Sequence, residues 1–89
     1  MIPINYLSFP VGQARAGAVV EVALSGCESD VFLVDDFNLA KFQRRQSFRY
    51  TGGHYNRSPV RLAVPSSGRW TAIVIPTGGR VNAAARLVA

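Results

Sequence analysis

Ala18-Val19-Val20-Glu21-Val22-Ala23-Leu24-Ser25 (AVVEVALS, residues 18–25) is the stretch whose reading decides the fold. Val20, Val22 and Leu24 fall on one side of an extended chain, and Glu21 and Ser25 on the other. That is the period of two of a half-buried strand, with no trace of the 3.6-residue period of a helix. Gly26 to Ser29 then breaks the pattern as a turn.

Working outward, Asp30 to Asp35 (DVFLVD) is an almost continuous β-branched and aromatic run, consistent with a strand buried on both faces or at the centre of a sandwich. DFNLAKFQRR follows as the one helical candidate, near residues 36–44, with Asp36 as its cap and Phe37, Lys41 and Arg44 at helical spacing. Ser47 to Thr51 reads as a strand with Phe48 and Tyr50 on one face, turned by Gly52-Gly53. Pro59 to Pro65 alternates with Val60, Leu62 and Val64 inward and Arg61 outward, its prolines at the strand ends where a missing N–H is tolerated. Trp70 to Ile75 is a further strand, expected to bury the indole with its N–H bonded near the sheet rim. Val81 to Val88 is read as a strand in preference to an alanine-rich helix, because Gly78-Gly79 before it suits a hairpin. With a short strand around Asn5 to Phe9, the expectation is all-β: a jelly-roll-like β-sandwich of about seven short antiparallel strands and one short helix.

The chain has 89 residues, 48% of them apolar and 17% charged. That is one globular domain, expected to have a radius of gyration of about 12 Å. Cys27 is the single cysteine, which excludes an intramolecular disulfide and a thiolate zinc cage within one chain. No run approaches the ~18 apolar residues of a membrane span, and the N-terminal residues do not read as a secretory leader. A reducing cytoplasm is therefore the expected location.

Net charge is +5, carried by nine arginines and one lysine against five acids. Six of the arginines lie between Arg44 and Trp70, interleaved with Tyr50, Tyr55 and His54. Arginine's planar fork suits phosphate, carboxylate and aromatic faces. The candidate binding set is Arg44, Arg45, Arg49, His54, Tyr55, Arg57, Arg61 and Arg69. Arg49 and Arg61 are expected to share a solvent face if their strands pair across Gly52-Gly53. Such a face fits an anionic ligand, namely nucleic acid or a nucleotide, or an acidic protein.

His54 either bonds a nearby carbonyl or adds a titratable donor to a glycine-lined anion pocket. No nucleophile elbow or acid–base pair stands at recognisable spacing, so the chain is read as a non-enzyme without cofactor. Glu28, Asp30, Asp35 and Asp36 lack the ladder of a calcium loop, and no metal is expected. Thr77-Gly78-Gly79-Arg80 lacks the lysine and following helix of a Walker loop and is read as a turn. Two other readings remain open: a structural subunit self-associating through a sheet edge, and a carbohydrate-binding module using Trp70 or Tyr55 as a platform.

VVEVALSG (19–26), Tyr50-Thr51-Gly52-Gly53-His54, Ser58-Pro59-Val60-Arg61-Leu62 and Val64-Pro65-Ser66-Ser67-Gly68-Arg69-Trp70 together carry a resemblance. The chain resembles a bacterial family of small all-β domains of unknown function, whose members stand alone or are fused to TIR domains. The resemblance covers nearly the whole chain. It implies a compact accessory or recognition module, and it implies no activity, substrate or catalytic residue.

Overall fold

The alternation in AVVEVALS becomes the central strand of a three-stranded sheet. In the computed structural model, which describes residues 6–88, the elements are β1 (Leu7–Ala14), β2 (Val19–Gly26), β3 (Ser29–Asp35), α1 (Asp36–Gln43), β4 (Thr51–Tyr55), β5 (Val60–Ala63), β6 (Gly68–Pro76) and β7 (Val81–Val88). All strand pairs are antiparallel. One sheet has the order β1-β6-β3-β4 and the other β5-β2-β7. The chain changes sheet at five connections; only β3 to β4, by way of α1, stays on one side. The all-β, two-sheet expectation holds, and the Cα radius of gyration is 12.3 Å.

Between the sheets lies the main core. Val20 and Val22 from β2 meet Val31, Leu33, Ala72 and Val74 from the facing sheet, all fully buried. Trp70 is buried beside them, and its indole Nε1–H donates to the Ser66 carbonyl at 2.9 Å, as the strand's position predicts. β3 is covered on both faces, as its composition requires. Val31 and Leu33 point into the sandwich, while Phe32 and Val34 join Phe42 and Ile73 in a second cluster beneath α1.

Local expectations shift in four places. Asn5 lies outside the described residues; β1 begins at Leu7 and runs on to Ala14, absorbing Pro10 through a register shift between Pro10 and Gly12 at the sheet edge. The helix cap is Asp35, one residue before the expected Asp36: its Oδ1 accepts from the Asn38 backbone N–H at 2.8 Å. Residues 47–50 are not a strand, because β4 begins only at Thr51. Gly52-Gly53 lies within β4 instead of turning the chain, opposite Phe32 and Val31 of β3.

Candidate functional site

The site forms where α1 ends. Arg45 takes φ 61°, a left-handed conformation uncommon outside glycine and asparagine. The Arg45 N–H donates to the Phe42 carbonyl and the Gln46 N–H to the Lys41 carbonyl, so the last helical carbonyls are satisfied while the chain reverses. Residues 46–50 then run back over the outer face of the four-stranded sheet. Asn38 ties them down: its backbone N–H and Nδ2 donate to Asp35 Oδ1, and its Oδ1 accepts from the Arg49 N–H at 2.8 Å.

This return path lays Phe48 and Tyr50 against Phe32. The ring centroids stand 5.7 Å (Phe32–Phe48), 5.3 Å (Phe32–Tyr50) and 5.4 Å (Phe48–Tyr50) apart, with Phe42 edge-on to Phe48 at 5.3 Å. Together they wall a concavity of about 380 Å³ whose rim carries Asp30, Gly53 and His54. Tyr50 is 56% exposed, so its ring is open to solvent on the side away from Phe32. On the far side of Phe48 a second concavity, about 630 Å³, is lined by Phe37, Lys41, Ser47 and Arg49. Asp35 also borders it, with its carboxylate engaged by Asn38. Lys41 Nζ stands 4.8 Å above the Phe37 ring, and neither Lys41 nor Arg49 forms an ion pair among the described residues.

His54 faces the same outer surface as Phe32, directly opposite Asp30. Its Nδ1 lies 2.9 Å from Asp30 Oδ1 and its Nε2 3.6 Å from Glu28 Oε2. The hydrogen bond to Asp30, aided by Glu28, raises its pKa above the usual histidine value. Its partners are the carboxylates of Asp30 on β3 and of Glu28 just before that strand, rather than a backbone carbonyl.

The arginine set does not form one face. Arg44 caps the end of α1, Arg45 follows it, and Arg57 sits on the loop after β4. β4 pairs with β3 and β5 with β2, so Arg49, on the segment that leads into β4, and Arg61, on β5, lie on opposite layers and do not share the expected surface. Arg61 instead meets Glu21 across the β2–β5 ladder at 3.0 Å, and Arg86 meets the same carboxylate from β7 at 3.0 Å. Those two guanidiniums hold Glu21 below the usual carboxylate pKa, Arg86 contributing most. Arg69 lies 3.6 Å from Asp36. Tyr55 points inward and packs against the main core, so it is not a stacking platform.

Sequence reasoning missed Phe32, Phe42, Asp30 and Lys41. The signal was the recurrence of aromatics at 32, 42, 48 and 50, which looked like core because they were spread over three expected elements, two strands and the helix. A larger concavity of about 740 Å³ lies between the Gln13–Ala18 turn, Ser67 and Leu87. Half of its lining residues are alanine or glycine and Arg15 is the sole charge, so it offers a ligand fewer directional contacts.

Among the described residues no helix is long and apolar enough to cross a membrane. No curated protein and no solved structure matches the chain. A family model does, over residues 4–88: the chain belongs to a family of domains of unknown function, DUF1883.

Proposed function

We propose that the chain is a non-enzymatic recognition module for a ligand that joins a flat ring to a phosphate, either a nucleotide or single-stranded nucleic acid. One observation carries this reading: Phe48 is the shared wall of two adjoining concavities, one aromatic and one bearing Lys41 and Arg49. A base stacked on Tyr50 and Phe48 would place Asp30 as acceptor for an exocyclic amino group, and its phosphate would reach the two cations. Stacking on such rings is worth about 1–3 kcal/mol per base and is tolerant of base identity. The net charge of +5 favours the approach of an anion. The resemblance to bacterial domains that stand alone or beside TIR domains fits a module that binds and does not catalyse.

The test is fluorescence anisotropy with a labelled oligodeoxyadenylate and, in parallel, calorimetry with adenosine monophosphate. Tyr50→Ala should weaken binding about 5- to 100-fold, the loss of one stacked base. Lys41→Ala with Arg49→Ala should flatten the dependence of log K on log salt by roughly 1.4, two single-strand phosphate contacts. Binding of the oligomer alone identifies a strand, and equal binding of the monophosphate identifies a nucleotide. Binding that Tyr50→Ala leaves unchanged, or no saturable binding at low salt, overturns the proposal.

A further inference from the structure

Each sheet has two edges, and an edge strand offers free N–H and C=O groups to any strand that comes alongside unless the sequence blunts it. Three of the four edges here are blunted. β1 carries Pro10 and a register shift, β4 has five residues including Gly52-Gly53, and β5 has four residues between Pro59 and Pro65. β7 has none of these devices. Its eight residues, VNAAARLV, contain no proline or glycine and pair with β2 in unbroken register from Gly26↔Val81 to Val19↔Val88.

Its other side forms no ladder with any described strand; β1 of the facing sheet comes nearest. The core-facing residues of β7 are also incompletely covered. Val81, Ala83 and Ala85 are half-buried, and Leu87 is 42% exposed although its row packs toward the sandwich.

We propose that β7 pairs antiparallel with β7 of a second copy about a two-fold axis at Ala84, joining two three-stranded sheets into one of six strands. In this register Val81 faces the partner's Leu87 and Ala83 faces the partner's Ala85, so the apolar row covers itself. On the solvent row Asn82 faces the partner's Arg86, and Ala84 faces its own counterpart. No like charges meet. A shift of the axis to Arg86 would set two guanidiniums against each other, which like-charge repulsion disfavours. Arg86 is meanwhile held over its own sheet by Glu21, leaving the edge itself clear.

Sedimentation equilibrium of the full chain from about 1 μM to 1 mM tests this, since a dimer's population follows mass action. The expected result is a monomer–dimer equilibrium with opposite responses at one exposed position. Asn82→Glu, facing the partner's Arg86 twice per dimer, tightens Kd about 3- to 10-fold, and Asn82→Lys weakens it by a similar factor. Ala84→Lys, which sets two ammonium groups together on the axis, abolishes the dimer. A monomer throughout the range overturns the proposal. So does a dimer whose Kd moves the same way, or not at all, in the two Asn82 variants.

Discussion

Gly52 shows how one residue sets the site. Its φ of 148° is a conformation that side chains rarely adopt, and a Cβ there would overlap the Val31 carbonyl oxygen and lie 2.6 Å from Phe32 Cα. β4 passes so close to β3 at this point that only glycine fits. Gly52→Ala should therefore destabilise the domain by roughly 2–4 kcal/mol, overpacking added to backbone strain, read as a fall in urea midpoint. Gly53, whose Cβ would meet nothing within 4 Å, should accept alanine with little change. At His54 the sign of the pH effect follows from its raised pKa: protonated His54 is held by Asp30 and Glu28, so its contribution is complete below the unfolded pKa of about 6.5 and is lost as pH rises through the folded value. The difference in Tm between the parent and His54→Gln should shrink from about pH 5 to pH 9. A difference that grew over that range would contradict the pairing. Tyr55 marks what the sequence hid at this scale. It stands beside His54, yet alternation along β4 sends one ring inward and the other side chain to solvent.

At the scale of the element, α1 owes its place to its ends. Eight residues are too few for a helix to persist alone, so capping and the contact of Phe42 with Phe32 must hold it. Asp35→Ala removes the acceptor for the Asn38 N–H and Nδ2 together and should cost about 1 kcal/mol, a fall in Tm of roughly 4–8 °C for a domain of this size. It should also loosen residues 46–50, because Asn38 is the link to Arg49, and amide exchange at Arg49 should accelerate. The helix and five of the strands were legible from helical spacing, from alternation or from a continuous apolar run, whereas β1 was read only in part, as Asn5 to Phe9 where it runs from Leu7 to Ala14. β4 was displaced for a physical reason. The alternation of Phe48 and Tyr50 resembles a strand, but it serves to lay two rings on a neighbouring sheet, and the true ladder begins where glycine permits close approach.

Taken whole, the molecule divides its charge between two surfaces. Glu21 gathers Arg61 and Arg86 on the three-stranded sheet, while Lys41 and Arg49 remain beside the aromatic wall on the other. The composition led to the expectation of an anion-seeking domain, and the interleaving of arginine with tyrosine drew attention to the segment that carries Arg49 and Tyr50. What it could not convey was which arginines would be neutralised, since that depends on strand pairings between residues 40 and 65 positions apart. Those same pairings reach beyond the finished fold. Val22 takes Val60 on one side and Ala85 on the other, so the central strand of the smaller sheet waits for a partner made 63 residues later. At about 5–20 residues per second that is about 3–13 s of synthesis during which Val20, Val22 and Leu24 emerge without their sheet. Alternating between layers thus makes this domain a late folder on the ribosome, one whose nascent apolar strands have to be shielded by something other than itself.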